Sequence, residues 1–231
     1  MELTPGLACH RLGFHWPGDR SAKRPVLESV NARFAPGTLN LVTGETGAGK
    51  STLLHLLGGL LRPTGGEIHA DGQPISRWPA NHRDPWRRNV GIVFQHLALV
   101  PDISAAENLL LPLIPRKISW SRMQAQIQKR LVENDLADLG RFPARELSGG
   151  QRQRLAVARA LSGEPRFILA DEPTAFQDDD HTRQIISQLR AAADAGAVTV
   201  VCSQDPRLKT SVAFHLRYHL ASGRLTRGSL P

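Results

Sequence analysis

Apolar and polar positions alternate loosely from Leu7 to Phe14 and again from Pro25-Val26-Leu27 to Phe34, with the polar, basic stretch Pro17 to Arg24 between them. Period-two alternation on either side of such a stretch predicts two antiparallel strands joined by a turn. A further short strand over Gly65-Gly66-Glu67-Ile68-His69-Ala70 runs into Asp71-Gly72, a tight-turn dipeptide, so the chain opens as an antiparallel leaf. Between these lies the apolar run Leu39-Asn40-Leu41-Val42, then a glycine-rich segment, then Thr52-Leu53-Leu54-His55-Leu56-Leu57, which reads as a helix. Pro74 to Arg88 is rich in Pro, Arg and Trp and keeps no period, which predicts a loop or a broken helical turn. Asn89 to Phe94 is a compact buried strand that ends at Gln95.

From residue 96 to about 146 the pattern turns helical. Ser104-Ala105-Ala106-Glu107 resembles a capping box, and Ser119 to Leu131 is a helix candidate. A helix follows Leu147-Ser148 and continues to Leu161. Strand patterning resumes at Arg166 to Ala170 and at Val198 to Cys202, with Thr182 to Ala193 helical between them. Strands alternating with helices imply a parallel sheet covered on both faces. His215 to Leu220 and Leu225-Thr226, joined by Ala221 to Arg224, predict a terminal hairpin.

The 231 residues, 41% of them hydrophobic, suit one globular domain. No apolar run reaches the roughly 18 residues a bilayer span needs, and Met1 to Gly6 lacks the features of a signal peptide, so a cytoplasmic chain is expected. Cys9 and Cys202 stand far apart, which suggests neither a disulfide framework nor a zinc site. The net charge of +8 fits nucleic acid, an anionic membrane or an anionic ligand, and does not choose among them.

Three segments carry chemistry. The first is Gly44-Glu45-Thr46-Gly47-Ala48-Gly49-Lys50-Ser51, continuing into Thr52: a strand, a glycine-rich loop and a helix. Its backbone N–H groups and the helix dipole would cradle phosphates, Lys50 would reach the β- and γ-phosphates, and Ser51 would hold Mg²⁺. In the second, Ser148-Gly149-Gly150-Gln151 places a hydroxyl and two glycines at another helix N-terminus, a second anion site. One nucleotide has one γ-phosphate, so this second site is expected to serve a nucleotide held by another copy. In the third, the strand ending Leu169-Ala170-Asp171-Glu172 delivers two carboxylates: Asp171 for the Mg²⁺ side, Glu172 as general base for water.

With Leu147-Ser148-Gly149-Gly150-Gln151 between the P-loop and the Asp-Glu strand, the chain resembles the ATP-binding subunits of ABC transporters over essentially its whole length. The resemblance implies an α/β P-loop NTPase core with a mixed sheet, formed by residues 1–95 and 163–231, and an inserted helical lobe over about 96–162. It implies ATP and Mg²⁺ as ligands, a permease partner in the membrane, a second ATP-binding subunit, identical or paired, and a place on the inner face of the cell membrane. Nucleic acid is not an expected partner, because the roughly fifty residues from Gln95 to Leu147 are too few for the coiled coil of the DNA-repair relatives. Gln95 matches the glutamine that links the lobes and feels both Mg²⁺ and the partner. The apolar surface after it, at His96, Leu97, Leu99 and Val100, is the expected docking place for the permease. Trp16 falls where an aromatic ring stacks on adenine, with Phe14 as the other candidate. Ala175-Phe176-Gln177-Asp178 falls at the D-loop. Val93-Phe94-Gln95, Leu99-Val100-Pro101 and Asp171-Glu172-Pro173-Thr174 resemble the branch of lipoprotein-release, macrolide-export and cell-division ATPases.

Two positions depart from that pattern. Ala175-Phe176-Gln177 stands where the branch has Gly-Asn-Leu, and Gln204 stands where the family has a histidine facing the γ-phosphate. An amide donates a hydrogen bond but lacks an imidazolium's charge, so slowed turnover is expected. An ATP-gated switch with little hydrolysis remains the alternative reading.

Overall fold

The computed structural model describes residues 5–17 and 25–228. In chain order they form β1 (Leu7–Phe14), β2 (Leu27–Phe34), β3 (Thr38–Thr43), α1 (Lys50–Leu57), β4 (Gly65–Ala70), α2 (Ala80–Arg87), β5 (Val90–Val93), α3 (Ala105–Leu110), α4 (Trp120–Glu133), α5 (Gly149–Ser162), β6 (Phe167–Asp171), α6 (Asp179–Asp194), β7 (Val198–Cys202), α7 (Pro206–Lys209), β8 (Leu216–Ala221) and β9 (Arg224–Arg227). The basic turn expected after Pro17 lies outside the described residues.

The antiparallel leaf has the order β2-β1-β4. Its alternation is loose for a physical reason: the β1–β2 register shifts between Cys9 and Leu12, where Arg11 has a φ of +49°. That bulge resets the parity, so Cys9 and Leu12 both face inward. The larger sheet has the order β5-β6-β7-β3-β8-β9 and is parallel except for β9, which closes the terminal hairpin with β8. β6 and β7 are buried at every position, as their near-continuous apolar runs require. Successive residues go to opposite faces. Phe167 and Leu169 pack with α1 residues such as Leu53 and Leu57, while Ile168 and Ala170 pack with Val157 of α5 and Ile185 of α6.

A third core joins Leu109 of α3 and Leu131 of α4 to Leu155 and Ala158 of α5. α5 therefore has two apolar faces, one on the helical lobe and one on the sheet. The sheet contact is close, since a Cβ at Gly91 would lie 2.2 Å from the Ala160 carbonyl oxygen. Only glycine permits this approach.

Three differences from the sequence reading have identifiable causes. Ala80–Arg87 is a helix, where a loop or broken turn was expected. None of its residues is fully buried, so it has no complete apolar stripe to read. Trp86 anchors it, with its ring 5.6 Å from that of Phe167. α6 begins three residues before Thr182 because Asp178 caps it, accepting the His181 N–H at 2.8 Å. α7 was not expected, although Asp205-Pro206 is an N-cap followed by a proline in the first turn, a start signal legible in the sequence.

Candidate nucleotide site

α1 starts without a side-chain cap: its N-cap is Gly49, at a φ of +100° that glycine adopts without strain. The N–H groups of its first turn have no intrahelical acceptor. Lys50 is buried and folds back on the loop, donating from Nζ to the carbonyls of Gly44 (2.8 Å) and Glu45 (2.9 Å). An ammonium has three N–H groups, so one remains for a ligand. Free backbone donors, a positive helix end and a buried ammonium make a cradle that fits a phosphate chain.

A cavity of about 310 Å³ opens over this helix end. Trp16, Thr46, Gly47, Gly49, Lys50, Ser51, Thr52, Gln95, Asp171, Glu172 and Gln204 all line it, so residues scattered over most of the chain converge there. Trp16 is 47% exposed and stands edge-on to Phe14, with centroids 5.0 Å apart. Phe14 itself is buried, which leaves Trp16 as the ring with an open face.

Asp171 ends β6 on the cavity floor. Burial pushes its carboxyl up, while the Ser51 hydroxyl and the nearby His55, Lys50 and His96 pull the other way. Ser51, Gln95 and Asp171 offer hydroxyl, amide and carboxylate oxygens, the donor chemistry a hard cation such as Mg²⁺ prefers. Glu172 has a φ of +48°, a left-handed conformation that costs a long side chain roughly 1 kcal/mol or more. Its N–H donates to the Cys202 carbonyl at 2.9 Å. Its carboxylate accepts from the Ser203 hydroxyl (2.7 Å) and from the Gln204 N–H (2.9 and 3.2 Å). The Gln204 side-chain oxygen accepts from the Thr46 hydroxyl at 2.9 Å, so the donor end of the amide is not used in that bond.

Ser148, Gly149, Gly150 and Gln151 are absent from this cavity's lining. They begin α5 with a reciprocal capping box: Ser148 Oγ accepts the Gln151 N–H (3.2 Å), and Gln151 Oε1 accepts the Ser148 N–H (2.8 Å). Gln177 straps this helix end to the loop before α6, donating from Nε2 to the Gly150 carbonyl at 3.2 Å. Leu97 and Leu99 pack partly into the cores, which leaves His96 and Val100 as the exposed members of the expected docking surface. The sequence reading missed Ser203, whose only local sign is its place between β7 and Gln204. It also missed the ties of Asp205, which accepts from Thr174 (2.9 Å) and pairs with Arg207 (2.8 Å).

Fold and cavity together define a P-loop α/β protein with an inserted helical lobe. The chain belongs to the ABC transporter family, whose model matches residues 27–175. It is 40% identical over 188 residues to an uncharacterized ABC transporter ATP-binding protein of Mycobacterium tuberculosis, which covers 81% of this chain. The chain spans 57% of that relative's length. It is 38% identical to the lipoprotein-releasing system ATP-binding protein LolD of Syntrophotalea carbinolica, over 87% of this chain and 88% of that one. Identity to the LolD of Bordetella pertussis is 36%, over 97% and 96% of the two chains. Among solved structures, the dimeric bacterial ABC transporter cassette MJ0796 superposes with a TM-score of 0.90 at 28% identity, covering 97% of this chain and 99% of that one. A post-hydrolysis dimer of the same cassette, bound to ADP and Pi, gives a TM-score of 0.89.

Proposed function

We propose that this chain binds and hydrolyses ATP as the energy-supplying subunit of an ABC transporter and drives a membrane permease by ATP-dependent closure of a dimer. The observation that carries this reading is the convergence, in one cavity, of an uncapped helix end, the Lys50 ammonium and the Asp171–Glu172 pair. In this reading Gly44 to Thr52 hold the triphosphate, Lys50 neutralises its charge, and Trp16 stacks on the base. Ser51, Gln95 and Asp171 hold Mg²⁺, which supplies charge neutralisation on the phosphate oxygens. Glu172 takes the proton of the attacking water, and the Gln204 amide donates to the γ-phosphate.

Ser148, Gly149, Gly150 and Gln151 then face the nucleotide of a second copy or of a paired ATP-binding subunit. The core lobe is residues 1–95 and 163–231 and the helical lobe about 96–162, with α5 bridging them through its two apolar faces. No helix among the described residues is long and apolar enough to cross a membrane, so attachment to its inner face falls to the permease. The LolD relatives favour a permease of the lipoprotein-releasing kind.

Phosphate release by the purified chain tests the reading. Wild type should release phosphate from Mg-ATP, whereas Glu172→Gln should bind ATP, accumulate as a dimer and lose release by roughly 100-fold or more. Equal release by the two proteins would remove Glu172 from the chemistry, and binding without release in wild type would favour the switch.

A further inference from the structure

We propose that Ser203 is a positioning residue for hydrolysis, and that its hydroxyl selects which oxygen of Glu172 receives the proton of water. The inference rests on the reading of Glu172 as general base. Glu172 sits at a φ of +48° just past the end of β6, and its three side-chain torsions are free to turn unless other contacts set the direction of the carboxylate. The Gln204 N–H reaches both carboxylate oxygens, at 2.9 Å to Oε1 and 3.2 Å to Oε2. A donor shared in this way tolerates rotation of the carboxylate about the shared contact.

Ser203 removes that freedom. Its Oγ lies 2.7 Å from Oε2, the length of a charge-assisted O–H···O bond. The direction of the proton is fixed as well, because Ser203 Oγ accepts the Asp205 N–H at 3.1 Å and so turns its own hydrogen to Glu172. The seat is rigid: Ser203 is 1% exposed, and its N–H donates to the Val42 carbonyl at 3.1 Å, tying it to β3.

The lone-pair count then assigns the base atom. Oε2 accepts from both Ser203 and Gln204, whereas Oε1 accepts from Gln204 alone and keeps a site free. In the hydrolytic step the water oxygen bonds to the γ-phosphorus as the bond to the ADP oxygen breaks, and the water's proton goes to Oε1. Without Ser203 the carboxylate swivels, and Oε1 presents its free lone pair to the water for only part of the time.

Single-turnover hydrolysis tests this in four proteins: wild type, Ser203→Ala, Ser203→Thr and Glu172→Gln/Ser203→Ala. Ser203→Ala should slow the step about tenfold with ATP affinity and melting temperature held, as a misplaced catalytic group does. Ser203→Thr, which keeps the hydroxyl, should restore most of the rate. In the Glu172→Gln background the serine change should add nothing, since the group it acts through is gone. An unchanged rate in Ser203→Ala, an equal loss in both backgrounds, or a parallel fall in affinity and melting temperature would overturn the role. If Glu172→Gln alone hydrolyses at the wild-type rate, the fault lies with the base assignment, and the role of Ser203 falls with it.

Discussion

α1 and α5 both have glycine at the start, Gly49 as the cap of one and Gly149 as the first residue of the other, and they differ in how their end N–H groups are met. α1 has Gly49 as its cap and no side chain to satisfy its donors, yet the buried Lys50, Asp171 and Glu172 gather around it within the same chain. Ser148 and Gln151 satisfy two of the four end donors of α5, and none of the residues from Ser148 to Gln151 lines the cavity. A Cβ at Gly149 would meet nothing within 4 Å, so that helix end faces open space. The first end is built to be completed by a small anion. The second is half capped from within its own helix and has room for something brought from outside, which is what a nucleotide bound to a second copy would be.

The largest expected effect is at α1. Lys50→Ala removes the buried point charge at this helix end, and Mg-ATP affinity should fall by at least about 100-fold in a binding titration. Affinity within a few-fold of wild type would mean that the backbone donors suffice and that the lysine serves only the loop carbonyls of Gly44 and Glu45.

A second change attacks α5 without harming it. Gly149→Asp enters open space, and a carboxylate in the first turn favours the helix by roughly 0.3–1 kcal/mol, so the melting temperature should hold or rise. The same charge repels a triphosphate, and hydrolysis should fall about tenfold or more with ATP binding to the isolated chain unchanged. Mixing supplies the sharper measurement. A heterodimer of Lys50→Ala and Gly149→Asp chains holds one intact site, made of one protomer's α1 and its partner's α5. With random assortment an equimolar mixture of the two impaired proteins should recover up to about a quarter of the wild-type rate. A mixture no more active than its parents would take the partner copy out of the site.

The two helix ends also differ in how far the sequence revealed them. The loop from Gly44 to Ser51 was legible because its chemistry is local: one strand, one turn and one helix start hold all its parts. Asp171 and Glu172 were legible through their company: two carboxylates at the end of an apolar strand alone read as a solvated turn, and beside a phosphate-binding loop they gain a use. The Ser148–Gln151 box showed as a helix start, but the sequence reading did not say that Ser148 and Gln151 satisfy each other's N–H groups. Contacts between distant segments left no trace: the Thr46–Gln204 bond spans 158 positions and the Ser203–Glu172 bond 31. α2 was hidden for another reason, since a helix whose one large apolar anchor is Trp86 carries too little apolar pattern to be read.

The smallest effect sought is a gain, at Gln204. Thr46 donates to Oε1 of this side chain, which leaves the amide N–H groups for the γ-phosphate. A neutral imidazole can play both parts, accepting from Thr46 on one nitrogen and donating from the other. Once protonated it adds a charge that the amide lacks, and charge-assisted bonds are about twice as strong as neutral ones. That advantage grows as negative charge shifts on the transferring phosphoryl group, so it acts on the rate and little on ground-state affinity. Gln204→His should therefore raise single-turnover hydrolysis by roughly threefold to tenfold with ATP affinity nearly unchanged. If the rate stays level or falls, the Thr46–Gln204 pair is tuned to the amide, and this end of the α1 cavity is paired within the chain at rest, as Ser148 and Gln151 are.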